Sequence, residues 1–227
     1  MNGDEYFLTP SPRAGIVDAL KSQLRHDHFD GQVLMSFIGD CFCETSDQSE
    51  AAIECLCVLS DTGTPTAILS KGGRRTLLAA DAVKRFGTGL VTVGATLTMS
   101  DPDLSAAWEP GAASPDERIS VLREFRQSGI PTFASFEPVI DPAQSLEMIR
   151  LSLDAVDVYK VGKLNNHPLE CEIDWRKFLS DAVRILRDNG KEFYVKADLR
   201  KFADGIGLTV DESDPDAHCL WTDSKQL

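Results

Sequence analysis

The sequence predicts an α/β protein built around a parallel β-sheet. The first observation is a unit that recurs along the chain, in which an amphipathic helix ends at a glycine and a short β-rich run follows before polar residues. The second is the alternation of β and α segments, which gives a parallel sheet with right-handed crossovers, either an open doubly wound sheet or a barrel. The third is size, since 227 residues with 42% hydrophobic and 26% charged side chains are typical of one folded domain.

Three strands are predicted in the first half of the chain. Residues 33–37 form the first β-rich run. Apolar residues at helical spacing between 52 and 57 mark a helix that ends near Gly63, and residues 66–69 predict the second strand. The third strand is predicted within residues 89–97.

The next two strands follow a helix with a clear start signal. Ser114 to Glu117 has the S-x-x-E form of a capping box with proline at the first helical position. The helix ends at Gly129, and residues 132–136 predict the fourth strand. Residues 156–162 predict the fifth strand.

The sixth unit is the most regular. Apolar residues from Trp175 to Leu186 recur at intervals of three and four, which predicts a helix with one apolar face. Gly190 ends this helix, and residues 192–195 predict the last strand. The six candidate strands are therefore separated by segments of helical length.

Charge and hydropathy exclude several classes of partner. The net charge of −13 and the pI near 4.7 repel phosphate backbones, so nucleic acid is an unfavoured partner. No run reaches the roughly 18 apolar residues of a membrane-spanning helix, so no membrane association is predicted. The N-terminus lacks the cationic start and apolar stretch of a secretory signal, and a cytoplasmic location is predicted.

The ligand site is predicted at the carboxyl ends of the strands. In both parallel architectures short loops converge on this edge, while the helices pack against the sheet. The polar residues that follow the predicted strands form a ring of mixed charge: Asp40, Glu44, Ser70, Lys71, Thr96, Thr98, Ser135, Glu137, Lys160, Lys163, Asn165, Lys196 and Asp198.

Two motifs have both a chemical and a structural interpretation. The pairs Cys41-x-Cys43 and Cys55-x-Cys57 have the number of thiolates that a zinc site requires. The second pair falls inside an apolar helix, where cysteine behaves as a small hydrophobe. No metal site is therefore predicted. The loop from Lys71 to Arg75 suits either an anion or an ordinary turn between strand and helix. Both interpretations of this loop stay open.

An ordered series of motifs resembles a known family. The series consists of 33-VLMSFIGD-40, 67-AILSK-71, 93-VGATLT-98, 109-EPGA-112, 114-SPDER-118, 136-FEPVI-140 and 159-YKVGK-163. It resembles the radical S-adenosylmethionine (SAM) superfamily, and within it the spore photoproduct lyase-like branch, over residues 32 to about 203. The resemblance implies a partial (β/α)6 TIM-like barrel, in which a 4Fe-4S cluster reduces SAM to a 5′-deoxyadenosyl radical.

The resemblance also implies cofactor-binding positions, and together with composition it divides the chain into three regions. The positions implied to hold SAM are Gly39, Asp40, Lys71, Thr96, Thr98, Glu137, Lys160 and Asn165. The regions are an N-terminal lead-in helix and loop at 1–31, the radical SAM-like partial barrel at 32–206 and an acidic, solvated tail at 207–227. No catalytic residue is assigned.

The cluster motif of the family is absent from this sequence. Radical SAM enzymes ligate their cluster through C-x-x-x-C-x-x-C after the first strand, and no such spacing occurs here. We therefore expect a chain that lacks the first family strand and its loop, and that is truncated or inactive alone. For a chain of this kind we also expect self-association or a cluster-bearing partner.

The sequence is also compatible with two other hypotheses. In one, a cluster-less barrel binds a nucleoside or a small anion, or serves as a partner subunit. In the other, a metal-dependent hydrolase on an ordinary α/β barrel uses Glu137 and Asp198.

Overall fold

Six parallel strands in chain order form the central sheet. The computed structural model describes residues 11–27, 31–35, 39–42, 46–86 and 89–219. Each strand pairs only with the strands before and after it in sequence, so β1 and β6 are the two edges of the described sheet. The strands are β1 (Val33–Met35), β2 (Thr66–Ser70), β3 (Val91–Thr96), β4 (Thr132–Phe136), β5 (Val158–Val161) and β6 (Glu192–Val195).

Helices connect the strands and cover one side of the sheet. The α-helices of the described part are α1 (Ile16–Leu24), α2 (Ser46–Asp61), α3 (Ala80–Phe86), α4 (Pro102–Trp108), α5 (Pro115–Gln127), α6 (Pro142–Leu151), α7 (Trp175–Asp188) and α8 (Ala197–Arg200). Short 3₁₀ helices lie at Gly73–Ala79, Pro168–Cys171 and Asp211–Ser213. The predicted parallel α/β architecture is confirmed. Residues 36 and 37 of the first predicted strand lie outside the described residues.

Local capping explains where several helices begin. The hydroxyl of Ser114 accepts a hydrogen bond from the Glu117 amide at 3.3 Å, as the capping-box motif predicts, and Pro115 takes the first helical position. The Asp174 carboxylate accepts the Lys177 amide at 2.9 Å at the start of α7. These caps satisfy amide groups that the first helical turn leaves without a partner.

The two faces of the sheet differ in chemistry. Side chains on the helix-covered face, such as Val93, Ala134 and Tyr159, are fully buried in the hydrophobic core. The opposite face carries Thr96 and Lys196 among other polar side chains, and two cavities open along it. Because side chains alternate along a strand, the polar residues that the sequence places at every second position share this inner face.

A layer across the inner face lies between the two cavities. The Phe133 ring lies against Gly94 of the neighbouring strand, where an added Cβ atom would fall 2.4 Å from a ring carbon. The Lys160 ammonium lies 4.5 Å from the centre of the same ring. Phe133 and Lys160 line the cavity at the amino end of the strands. Ser135, two residues after Phe133 on the same face, lines the cavity at the carboxyl end.

The segment predicted as a solvated acidic tail contacts the barrel in its described part. The carboxylate of Glu212 pairs with the Arg187 guanidinium of α7 at 2.5 Å. His218 lies 3.2 Å from the carbonyl oxygen of Phe193 on β6. One of the acidic residues that suggested solvation, Glu212, therefore has a cationic partner on α7, which composition does not reveal.

The helices of the described residues are too short or too polar to cross a membrane. None of them combines the length and the apolar character that crossing a bilayer requires.

Candidate functional site

A cavity of about 450 Å³ lies at the carboxyl ends of the strands. It occupies the edge at which parallel α/β folds bind their ligands. Its volume falls in the range of small-molecule sites. Its lining combines two aliphatic side chains with charged and hydroxyl groups: Leu34, Gly39, Asp40, Leu69, Ser70, Lys71, Thr96, Ser135, Glu137 and Lys196.

Asp40 fastens the loop after β1 to the end of β2. One carboxylate oxygen accepts hydrogen bonds from the Ser70 hydroxyl at 2.7 Å and from the Phe42 amide at 2.9 Å. The other accepts the Lys71 amide at 2.5 Å. The Ser70 hydroxyl accepts the Gly72 amide at 2.8 Å in turn. The loop that carries Gly39 and Asp40 is thereby held against the next strand.

The ammonium of Lys71 is held by a buried carboxylate. It lies 2.7 Å from Glu109, which follows α4, and the other Glu109 oxygen lies 2.7 Å from the Arg118 guanidinium of α5. Arg118 also donates to the Thr96 carbonyl at 3.0 Å and to the Ala113 carbonyl at 2.8 Å. The three charged side chains form a continuous chain from the helices to the cavity.

This chain of charges leaves one positive charge at its exposed end. The side chains of Glu109 and Arg118 are only 6% and 2% exposed, whereas Lys71 is 34% exposed. Burial alone would raise the pKa of Glu109, but Lys71 and Arg118 outweigh it and lower the pKa below the ordinary value. Two cations and one anion therefore sum to +1, and the part open to the cavity is the Lys71 ammonium.

A second ion pair lies across the cavity. The Lys196 ammonium after β6 lies 2.7 Å from one oxygen of Glu137 after β4, and it donates to the Ser135 hydroxyl at 3.1 Å. Asn165 donates to the other Glu137 oxygen at 3.3 Å. Gly162 allows this approach, because a Cβ atom there would lie 2.9 Å from the Glu137 carboxylate.

Most of the predicted SAM-binding positions come together at this edge. Gly39, Asp40, Lys71, Thr96 and Glu137 line the cavity. Asn165 reaches it through its hydrogen bond to Glu137.

Two of the predicted positions are directed elsewhere. Thr98 is 1% exposed, and its hydroxyl donates to Glu109 at 3.0 Å instead of facing the cavity. Lys160 is level with Ser135 in the sheet, yet its side chain reaches back toward Phe133 and lines the cavity at the amino end. Glu44 of the predicted polar ring lies outside the described residues.

Glu109 and Arg118 are the residues that motif analysis did not assign to the site. A signal for Arg118 exists, because positions 118, 122 and 125 share one helix face, and Leu122 and Phe125 make that face apolar. A charged residue on an apolar face needs a buried partner. Glu109 has no comparable local signal.

The two arginines of the loop from Lys71 to Arg75 are engaged by the protein itself, and the Arg74 guanidinium lies 3.6 Å from the Glu124 carboxylate. Arg75 donates to the Phe42 carbonyl at 3.1 Å and to the Gly111 carbonyl at 3.0 Å. Gly73 has a φ of 54°, and a Cβ atom there would lie 2.3 Å from Glu117. These contacts favour the structural interpretation for residues 72–75, whereas the Lys71 ammonium stays partly open to the cavity.

The metal hypotheses find little support in the described residues. They contain no group of three or more His, Cys, Asp or Glu side chains arranged to hold a metal ion. Glu137 is paired with Lys196, and Asp198 is paired with Lys201 at 2.7 Å. Cys41 and Cys55 are buried, burial raises the pKa of the Cys55 thiol, and Cys43 lies outside the described part.

Comparisons with known proteins identify the fold. No family model and no curated protein matches the sequence. Three crystal structures of Streptococcus suis SuiB, a radical SAM enzyme, are similar in structure. The SuiB structure bound to S-adenosylmethionine has a TM-score of 0.59 and 13% identity, over 88% of this chain and 47% of that chain.

The other two SuiB structures agree with the first. One has a TM-score of 0.60 and 14% identity over 89% of this chain and 49% of that chain. The other, bound to the precursor peptide SuiA, has a TM-score of 0.62 and 12% identity over 87% and 45%. This chain spans less than half the length of these neighbours. The likeness establishes the fold: a six-stranded parallel α/β sheet that matches the partial barrel of a radical SAM enzyme.

Proposed function

We propose that the cavity at the carboxyl ends of the strands binds S-adenosylmethionine. The observation that carries the proposal is the arrangement of charges around it. The lining presents Asp40 and Glu137 as carboxylates and Lys71 and Lys196 as ammonium groups. The methionine part of SAM carries one carboxylate, one ammonium and one sulfonium charge, so alternating charges of this kind complement it.

Each part of SAM has a group of suitable chemistry in the lining. The Lys71 ammonium, at the open end of the chain of charges through Glu109 and Arg118, suits the carboxylate of SAM. Glu137 suits the ammonium or the sulfonium, because its carboxylate is 32% exposed. The hydroxyls of Thr96 and Ser135 suit the ribose. The neighbour crystallised with SAM supports the same ligand class.

Cluster chemistry is a separate question. Reductive cleavage of SAM requires an iron–sulfur cluster with thiolate ligands and one iron left open. The part of the chain that is described brings together no such ligand set. We therefore propose SAM binding for this chain and derive no reaction step through a cluster. Placement in the spore photoproduct lyase-like branch rests on the ordered motifs alone.

Titration calorimetry with SAM tests the proposal. Aerobically purified protein and protein treated anaerobically with iron and sulfide are both titrated with SAM, adenosine and methionine. Glu137→Gln removes a lining charge and is expected to weaken SAM binding about tenfold, as loss of a charged hydrogen bond predicts. Glu147→Gln, on the exposed surface of α6, is the matched control and is expected to bind like the unmodified protein.

The three ligands separate the outcomes. Saturable SAM binding that exceeds adenosine and methionine binding, and that falls in Glu137→Gln only, supports the proposal. Equal binding of SAM and adenosine would overturn it in favour of a nucleoside-binding barrel. Absence of SAM binding in both preparations would also overturn it.

A further inference from the structure

A second cavity lies at the opposite end of the strands from the proposed SAM site. Its volume is about 780 Å³, larger than the cavity at the carboxyl ends. Thr92, Phe133 and Lys160 line it from the inner face of the sheet, and His218 and Cys219 line it from the C-terminal segment. The inner face of the sheet thus borders two cavities, and the proposed function uses only the cavity at the carboxyl ends of the strands.

Lys160 stands out among the lysines of the described residues. Its ammonium lies over the Phe133 ring, and within the described chain it makes no hydrogen bond and no ion pair with a carboxylate. Other inward or buried lysines differ in this respect, since Lys163 pairs with Glu170 and Lys196 pairs with Glu137. An amine with an aromatic face and no carboxylate partner is poorly compensated when charged.

The surroundings of Lys160 make its ammonium easier to deprotonate than that of an ordinary lysine. Burial lowers the pKa of its ammonium, the negative charge of an ionised Cys219 would raise it, and the nearby Lys196 ammonium lowers the pKa further. Removal from water and a neighbouring cation are the two conditions that turn lysine into a nucleophile near neutral pH. Two side chains that can carry protons, His218 and Glu192, line the same cavity. The His218 Nδ1 atom lies 3.4 Å from a carboxylate oxygen of Glu192.

We propose that Lys160 is a nucleophilic amine that captures a small aldehyde or ketone in the amino-end cavity. The nitrogen lone pair attacks the carbonyl carbon, and the carbonyl oxygen takes up protons and leaves as water. A carbon–nitrogen double bond forms, and the nitrogen loses two protons in all. No oxidant or reductant is needed. His218 and Glu192 exchange the protons with solvent.

Reductive trapping with glycolaldehyde tests this assignment. The full chain is treated at pH 7 with a limiting amount of glycolaldehyde and sodium cyanoborohydride, which reduces an imine to a stable secondary amine. Peptide mass spectrometry then gives the initial rate at each lysine. Lys177 is the internal reference, because its side chain is 73% exposed and paired with Asp181. Lys160 is expected to react at least tenfold faster than Lys177.

Two variants tie the reaction to the cavity. Lys160→Met removes the fast site and leaves the rate at Lys177 unchanged. Ala217→Trp places an indole in the cavity lining and is expected to slow Lys160 severalfold without affecting Lys177. The thermal unfolding of both variants is measured to verify that they fold.

Three results would overturn the proposal. The first is labelling of Lys160 no faster than that of Lys177. The second is fast labelling that persists unchanged in folded Ala217→Trp, since the aldehyde would then not enter through the cavity. The third is a fast site that survives in Lys160→Met. None of these results depends on whether the other cavity binds SAM.

Discussion

The guanidinium of Arg118 lies 2.7 Å from the carboxylate of Glu109, and both side chains are almost completely buried. Arg118 joins the outer helix α5 to the end of β3 through the Thr96 carbonyl. Glu109 joins the same point to Lys71 at the end of β2. The buried pair therefore holds the ends of β2 and β3 in place. It also positions the Lys71 ammonium, which is the part of this charge chain that is open to the cavity.

Replacing Arg118 with methionine is expected to destabilise the protein strongly. The substitution leaves Glu109 buried with only Lys71 as a charged partner, and breaking a buried pair from one side costs about 3–5 kcal/mol. Urea unfolding at pH 7 measures the change in the free energy of unfolding. Arg123→Met is the matched control, because Arg123 pairs with Asp154 on the surface and such pairs contribute about 0–1 kcal/mol. Equal effects of the two substitutions would contradict this account.

The same carboxylate predicts a dependence of stability on acid. The pKa of Glu109 is lowered in the folded state, so as the pH falls from the unfolded-state pKa toward the folded-state pKa the unfolded chain binds more protons. The contribution of Glu109 is complete above the unfolded-state value of about 4.3 and is lost as the pH falls through the lowered folded-state value. Folding stability should therefore decrease with acid in this range.

Glu109→Gln isolates this contribution. The variant is less stable at pH 7, but its free energy of unfolding should decrease less steeply below about pH 5 than that of the unmodified protein. The remaining slope comes from other carboxylates such as Asp157, whose pKa is lowered overall because Arg126 and Thr132 outweigh the effect of burial. Urea unfolding at several pH values measures both slopes. Parallel slopes would show that Glu109 does not titrate between the two states as inferred.

The sequence predicts the order of the elements better than the direction of the side chains. The six strands were predictable because their signals are local: a helix period, a glycine such as Gly129 or Gly190, and a short β-rich run. The edge that gathers Asp40, Lys71 and Glu137 follows from parallel pairing alone. These predictions require no knowledge of which way a long side chain turns.

The remaining site features depend on contacts between distant segments. Lys160 has the register of a carboxyl-end residue, but its ammonium lies over the flat ring of Phe133, which packs against Gly94, and its side chain therefore turns toward the amino end. Thr98 follows a strand end, yet it serves the carboxylate of Glu109, which comes from the far end of α4. Such pairings arise from packing and are not encoded in any local spacing.

Replacing Gly94 with alanine is expected to destabilise the protein because of the ring beside it. In Gly94→Ala the new methyl group would lie 2.4–2.5 Å from three Phe133 ring carbons, so the ring must move. Overpacking of this kind costs about 1–3 kcal/mol. Gly89→Ala is the control, since an added Cβ there meets no atom within 4 Å, and its effect should stay within about 0.5 kcal/mol.

A second substitution separates overpacking from a general loss of strand stability. Phe133→Leu removes the ring, so Gly94→Ala should cost less in a Phe133→Leu background than in the unmodified protein. Urea unfolding of the four variants gives the coupling energy. A coupling energy of zero would mean that the ring contact is not what makes glycine necessary.

Asp40 is expected to limit the dynamics of the cavity wall. Its carboxylate accepts the amides of Phe42 and Lys71, so these two amides should exchange slowly with solvent deuterium in the ligand-free protein. Asp40→Ala removes both acceptors and should speed exchange at these amides about tenfold or more, since a hydrogen bond to a charged group contributes about 1.5–3 kcal/mol. Asp101→Ala removes the cap of α4 and should leave them unchanged. Residue-resolved hydrogen exchange measures both variants, and equal protection of the Lys71 amide with and without Asp40 would show that the loop after β1 is held to β2 by other contacts.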